Sequence, residues 1–122
     1  MTFPVENIPL TDKLFRRIPP HQCNKRGKIS SSAFEDFDTS VDWEKYSTPE
    51  ETLNRLPPGK NKTGWKVASI LASIPVEFGQ SVVHAPLESP ANQAHSLIRG
   101  EKTLQVSDDL AKLSPIGFPP PA

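Results

Sequence analysis

Alternating apolar and polar positions predict several short strands along this chain. Residues 13–18 (KLFRRI) have the pattern of a strand, which Pro19 and Pro20 end because proline cannot donate a hydrogen bond to a sheet ladder. Further strands are predicted at residues 29–34, 39–46, 65–72, 80–85 and 95–99. Short strands separated by proline corners are typical of a small antiparallel sheet.

Two helices are predicted beside the strands. Thr48 is a good N-cap, Pro49 suits the first helical position, and Glu51 completes a capping box, so a short helix is predicted over residues 49–56. A C-terminal helix that Pro115 ends is predicted from four apolar residues at helical spacing: Leu104, Val106, Leu110 and Leu113.

Residues 65–78 admit two interpretations. Their apolar positions fit a single helix, but they also fit a strand at 65–72 followed by one helical turn that Ser73 begins and Gly79 ends. The second interpretation is preferred, because the next predicted strand follows directly after Gly79.

The sequence therefore predicts an α+β fold with a small, mainly antiparallel sheet, two short helices and proline-rich termini. Residues 1–12 are predicted to form an extended arm, residues 13–114 a single domain, and residues 115–122 a proline-rich tail. The tail is predicted to be dispensable for folding, since Ile116 and Phe118 are its only large apolar side chains.

Charge and cysteine content narrow the classes of function. The chain has 14 Lys and Arg against 14 Asp and Glu, so no global field favours nucleic acid or a membrane. Cys23 is the only cysteine, which excludes an internal disulfide and fits a reducing compartment. No apolar run reaches the roughly 20 residues of a membrane helix. The sequence predicts a cytoplasmic protein without a membrane partner.

The pair Arg16 and Arg17 is the first candidate binding site. Neighbouring residues of a strand point to opposite faces, so one arginine is predicted to lie over the covered face or in a cleft. A guanidinium cannot lose its charge, and a buried one therefore needs an anion. The alternative is an arginine whose stem packs on apolar surface while its head makes a surface ion pair.

A basic cluster at residues 13–28 is a second candidate site, for nucleic acid, because Lys and Arg release counterions from phosphates. Its candidate binding residues are Arg16, Arg17, His21, Lys25, Arg26 and Lys28. The acidic stretch at residues 35–44 would neutralise this cluster if it folds back on it.

The remaining reactive residues complete no known motif. His21 and Cys23 lack the spacing of a zinc module, and neither His84 nor His95 adds one. The serines at residues 30–32 lack a nucleophile elbow, and the loop at residues 59–64 lacks P-loop spacing. No metal ligand and no catalytic residue is predicted from these residues.

The chain resembles two known families. The segments LFRRIPP, GKISSSAF, TPEETL and VVHAPL…AHSLIRGEKT resemble a family of small uncharacterised bacterial proteins, which implies a bacterial source. Residues 13–56 resemble ADP-ribosyltransferase-like domains of the RES type, although the chain has no GRxN-type motif. The second resemblance implies that Arg16 or Arg17 holds the NAD phosphates, Ser31 or Ser32 the ribose, and that Glu51 stabilises the transition state.

The first prediction of function is a small binding or accessory protein, without enzymatic activity or a cofactor, that acts through a protein partner. A polyproline tail is partly ordered before it binds, and an aromatic groove on a partner would take it, with Phe118 as the candidate contact. The alternative is an NAD-dependent ADP-ribosyltransferase-like enzyme. A second alternative is a nucleic-acid-binding accessory protein that uses the cluster at residues 13–28.

Overall fold

Strands make up most of the regular structure in the computed structural model, which describes residues 2–57 and 59–120. The strands are β1 (Lys13–Ile18), β2 (Asp38–Trp43), β3 (Lys66–Leu71), β4 (Ser81–His84), β5 (Leu87–Glu88), β6 (Ala91–Asn92), β7 (His95–Arg99) and β8 (Ile116–Phe118). Six of them form one antiparallel sheet in the order β4-β7-β2-β1-β3-β8, while β5 and β6 form a separate hairpin. The predicted α+β class with a mainly antiparallel sheet is confirmed.

Three short helices accompany the sheet, α1 (Pro49–Asn54), α2 (Ser73–Glu77) and α3 (Leu104–Lys112). The predicted capping box begins α1, since Thr48 Oγ1 accepts from the Glu51 N–H and the Glu51 carboxylate accepts from the Thr48 N–H, both at 3.1 Å. Helix α2 follows β3 after one residue, and Gly79, with φ of 79°, lies just beyond it. The interpretation of residues 65–78 as a strand and one helical turn is confirmed.

One face of the sheet carries the hydrophobic core. Leu14 and Ile18 of β1 and Trp43 of β2 are almost completely buried on this face, which we call the core face. A 3-10 helix at Ser31–Phe34 and helix α3 pack against each other and cover it. The opposite face, which we call the open face, is covered in part by α1.

The predicted strand at residues 29–34 is wrong. Ser31–Phe34 is a 3-10 helix, and Ser30 caps its start by accepting a hydrogen bond from the Ser32 N–H at 3.3 Å. A serine side chain offers the backbone a local partner that competes with a sheet ladder. Ala33 and Phe34 are also both buried, so the burial does not alternate as a strand requires.

The described residues near both ends of the chain attach to the domain. In the predicted arm, the Glu6 N–H donates to His84 Nδ1 at 3.0 Å, and Ile8 packs against the core. At the other end, β8 pairs with β3 and forms an edge of the sheet. Residues 116–118 of the predicted tail therefore belong to the sheet. Among the described residues, no helix has both the length and the apolar composition to cross a membrane.

Candidate functional site

A pocket of about 600 Å³ lies on the open face of the sheet. Its floor comes from β1, β2 and β7, one wall from α1 and the residues after it, and the other wall from the β5–β6 hairpin. This volume is in the usual range for small-molecule sites. The charged lining residues are Arg16, Arg17, Arg55 and Asp42, so the described lining carries more positive than negative charge.

Asp42 connects both walls of the pocket to its floor. Its Oδ2 accepts from Thr52 Oγ1 at 2.9 Å and from Arg55 Nη1 at 2.8 Å, and its Oδ1 accepts from Asn92 Nδ2 at 3.0 Å. Thr52 belongs to α1, Arg55 follows it, and Asn92 belongs to β6. The carboxylate is buried and its charge is fully engaged by these donors, so it positions the walls.

Arg17 presents an incompletely paired guanidinium to the pocket. Within residues 2–57 and 59–120, its hydrogen bond runs from Nη1 to Thr52 O at 3.0 Å, and no carboxylate oxygen lies within 4.0 Å. Burial lowers the pKa of Arg17 from its ordinary value; Asp42 nearby acts to raise it and Arg55 to lower it. The group stays protonated all the same, and its remaining N–H donors are available to a ligand.

Arg16 has a different role, because it fills a gap between two strands. Strands β1 and β2 pair only at Leu14–Trp43 and Phe15–Asp42. Beyond them the Arg16 guanidinium donates from Nε to Ala33 O at 3.1 Å and from Nη1 to Ser40 O at 2.8 Å. Burial lowers the pKa of Arg16, while Asp36 acts to raise it and Arg17 to lower it. Arg16 thus reaches the 3-10 helix that covers the core face, but Arg17 does not face solvent as the alternation predicted, because it is half-buried in the pocket.

His95 places a hydrogen-bond acceptor in the pocket. Its Nδ1 lies 2.8 Å from Ala85 O, and its Nε2 lies 3.4 Å from Ser40 Oγ. A carbonyl oxygen only accepts, so Nδ1 is the donor in the first contact, and the tautomer with a bare Nε2 offers an acceptor to a ligand. The distance to Ser40 is long for a hydrogen bond to a hydroxyl. His95 is therefore better placed to bind a ligand than to act as a general base on the Ser40 hydroxyl.

The residues that the RES resemblance assigns to NAD do not form one site. Arg16 and Arg17 line the pocket, but Ser31 and Ser32 belong to the 3-10 helix that packs on the core face. The side chain of Glu51 is engaged in the capping box of α1 and does not line the pocket. Of this set, Arg17 is therefore the residue placed to hold an anion in the pocket, because the Arg16 guanidinium is engaged by Ala33 O and Ser40 O.

The other predicted binding residues lie outside the pocket. His21, Lys25, Arg26 and Lys28 are exposed in and next to the turn that follows β1. Phe118 is half-buried in β8 and pairs with β3 in the sheet. A protein partner for the tail stays a prediction. Across the described residues, no group of three or more His, Cys, Asp and Glu side chains is arranged to hold a metal ion.

Sequence reasoning missed Asp42, Arg55 and Asn92 as a group. Arg55 and Asn92 are separated from Asp42 by 13 and 50 positions, so only the fold brings them together. One signal was present in the sequence. Asp42 lies between Val41 and Trp43 in a predicted strand, and the alternation places its carboxylate on the face opposite these two apolar side chains.

Comparison with known proteins identifies no relative of this chain. No protein-family model matches it, and no curated protein and no solved structure gives a significant match. The pocket and its charges therefore carry the inference of function.

Proposed function

We propose that the protein binds a small anionic molecule in the pocket on the open face of the sheet. One observation supports this most directly. Arg17 lies in the pocket floor with no carboxylate within 4.0 Å among the described residues, and it has hydrogen-bond donors to spare. A partly buried guanidinium without an anion is costly, and a ligand anion removes that cost.

The chemistry of the pocket indicates a phosphate or carboxylate group joined to a less polar body. The planar guanidinium of Arg17 matches such oxygens with two parallel hydrogen bonds. Apolar lining from both walls is available to the rest of the ligand: Leu56, Pro57, Leu87 and Pro90. Nucleotides belong to this class, and NAD is one of them, but the pocket supports binding without assigning a reaction.

The test compares ligand-induced stabilisation of the wild-type protein and of an Arg17→Gln variant. Inorganic phosphate, AMP and NAD are the anionic probes, and adenosine is the neutral counterpart of AMP. A ligand that binds only the folded state raises Tm, by on the order of 10 °C at a hundred times its Kd in a domain of this size. We expect a rise with at least one anionic probe, none with adenosine, and loss of the rise in R17Q.

An Arg99→Gln variant is the matched control, because Arg99 lies in β7 with its side chain exposed and paired to Asp38 outside the pocket. It removes the same charge and should keep the response to the anionic probe. An equal response of wild type and R17Q to every probe, or equal losses in R17Q and R99Q, would contradict binding at Arg17.

A further inference from the structure

The balanced net charge of this chain conceals an uneven distribution. Residues 13–34 contain six of the 14 Lys and Arg residues, and residues 52–76 contain four more. Neither segment contains an Asp or Glu, so all 14 carboxylates share the rest of the chain with only four cations. Charge separated along the sequence in this way becomes a surface feature if the fold places the two segments together.

The fold places residues 19–28 of the first basic segment and residues 59–66 of the second at one end of the sheet. Strands β1 and β3 are antiparallel neighbours, and Ile18 at the end of β1 lies opposite Lys66 at the start of β3. The loop before β3 also contacts the residues after β1, since a Cβ added to Gly64 would lie 2.9 Å from Pro20 Cγ. The turn that follows β1 and the loop that precedes β3 are therefore adjacent.

The turn after β1 is held in one shape by Asn24. Its Oδ1 accepts from the N–H groups of Arg26 and Lys28, both at 2.9 Å, and its backbone oxygen accepts from Gly27 N at 3.0 Å. Gly27 adopts a φ of 81°, which only glycine reaches without strain. The cations of this turn are thus displayed on an ordered backbone, which lowers the entropy lost when they bind a partner.

These cations are not paired within the described part of the protein. The ion pairs there engage Arg55 and three cations from the acid-rich part of the chain, Lys45, Arg99 and Lys112. The unpaired cations that lie in the turn after β1, in the loop before β3 or at the start of β3 form what we call the basic surface: Lys25, Arg26, Lys28, Lys60, Lys62 and Lys66. All of them except Lys66 are exposed.

We propose that the basic surface binds the phosphate backbone of a nucleic acid. A group of cations without carboxylate partners neutralises phosphates and releases their counterions, which favours binding without sequence recognition. None of the large exposed apolar side chains of the described residues lies at residues 20–28 or 59–66. A protein interface needs such anchors at its centre, and a helix lying on a membrane needs them to enter the lipid. A polyphosphate chain needs neither.

This inference is independent of the ligand proposed for the pocket. The basic surface uses lysines and Arg26, none of which lines the pocket, whereas the pocket uses Arg17 and Arg55. The variant R17Q should therefore keep its affinity for a nucleic acid. It tests only the ligand of the pocket, and the variants of the basic surface test only the binding of nucleic acid.

The test measures fluorescence anisotropy of a labelled 20-nucleotide RNA of mixed sequence, titrated with protein between 50 and 200 mM KCl. With up to six cations engaged, log Kobs should fall with log salt with a slope of roughly −4. Replacing Lys25, Arg26 and Lys28 by Gln together should reduce the magnitude of that slope by about 2 and weaken binding at least tenfold at 50 mM KCl. These side chains are exposed, so the variant should fold, and its circular dichroism confirms this.

A second triple variant, K45Q/R99Q/K112Q, removes the same charge from exposed cations elsewhere and should keep the wild-type affinity and slope. The proposal is overturned by absence of binding at 50 mM KCl or by equal losses in the two triple variants. It is also overturned if a polyglutamate peptide or phosphatidylserine vesicles bind more tightly than the RNA under the same conditions.

Discussion

At the scale of single residues, Asp42 is the group on which the open face depends. Three donors from two separate segments, α1 with its C-cap and β6, converge on its two oxygens, at distances of 2.8 to 3.0 Å. Each of these bonds ends on a carboxylate that is itself buried, where an unmatched partner is expensive. The carboxylate is therefore as much a structural element as part of the pocket.

We expect Asp42→Asn to lower the free energy of unfolding by about 2–4 kcal/mol, because Arg55 loses the anion that it faces and one of the donors loses its acceptor. Urea denaturation followed by circular dichroism measures the loss as a change in the midpoint at constant m. Asp38→Asn is the control, since the Asp38–Arg99 pair is exposed and should cost less than about 1 kcal/mol. Equal effects of the two substitutions would refute the structural role of Asp42.

Glu6 provides a prediction of pH dependence. Hydrogen bonds from Lys45 Nζ and then from Tyr46 Oη lower the pKa of the Glu6 carboxyl below its ordinary value of 4.5. A carboxyl whose pKa is lowered by folding contributes stability that is present above its unfolded pKa and is lost as the pH falls through its folded pKa.

We therefore expect Glu6→Gln to reduce Tm near pH 7, and the difference from wild type to shrink once the pH falls below about 4. Thermal unfolding at pH values from 7 to 3 measures this. A difference that stays constant, or that grows on acidification, would mean that the contacts of Glu6 do not depend on its charge.

At the scale of elements, the sequence predicts the bounds of a strand or helix best where a periodic pattern of apolar residues meets a residue that ends or caps the element. The bounds of β1 and β7 are those expected from alternation, with prolines ending the first and Gly100 following the second. Helix α1 was found through its capping box. The 3-10 helix at Ser31–Phe34 was not predicted. The local hydrogen bond that Ser30 accepts favours this helix, and the alternation that indicated a strand consists largely of serines, whose burial contributes little free energy.

The last strand shows how an edge position escapes sequence reasoning. Pro115 and the prolines from position 119 predicted a separate tail, yet an edge strand tolerates flanking proline because it uses only one side of its backbone. In β8, Ile116 packs against the core, and Ser69 N donates to Pro115 O at 3.0 Å. Three residues are enough to pair with Val67 and Ala68 at the outer edge of β3.

We consequently expect a chain that ends at Ser114 to be less stable than the full chain by about 2 kcal/mol or more, through the exposed edge of β3 and the lost side chain of Ile116. Thermal unfolding of the two proteins measures the difference. A chain that ends at Pro120 keeps β8 and should unfold close to the full-length temperature. An unchanged Tm for the shorter chain would restore the interpretation of residues 115–122 as a dispensable tail.

At the scale of the whole molecule, the sequence located the arginines but not the pocket. Adjacent positions in a strand were enough to send Arg16 and Arg17 to opposite faces. The pocket itself depends on α1, the β5–β6 hairpin and Asn92, whose approach to the sheet follows from tertiary contacts that no local pattern records. The basic surface can be predicted from the sequence only in part. Its first segment is visible in the sequence as a cluster of cations, whereas the second joins it only through the pairing of β1 with β3.

The separation of charge also predicts how salt affects stability. The turn after β1 holds Lys25, Arg26 and Lys28 within four positions and without carboxylate partners in the described residues, so these like charges repel one another in the folded state. Repulsion is strongest at low ionic strength, where the Debye length is about 30 Å at 0.01 M, and it is largely screened at 0.15 M, where the length is about 8 Å.

We expect the variant K25Q/R26Q/K28Q to melt above the wild type at 0.01 M salt and to approach it as salt is added. The variant K45Q/R99Q/K112Q should behave in the opposite sense, because each of its cations faces a carboxylate, Glu6, Asp38 or Asp108. Its Tm should lie below that of the wild type at 0.01 M salt, and the gap should narrow as salt screens the lost attractions. Melting curves of the three proteins from 0.01 to 0.5 M KCl test both signs together. If both variants shift in the same direction, the uneven distribution of charge has no effect on stability.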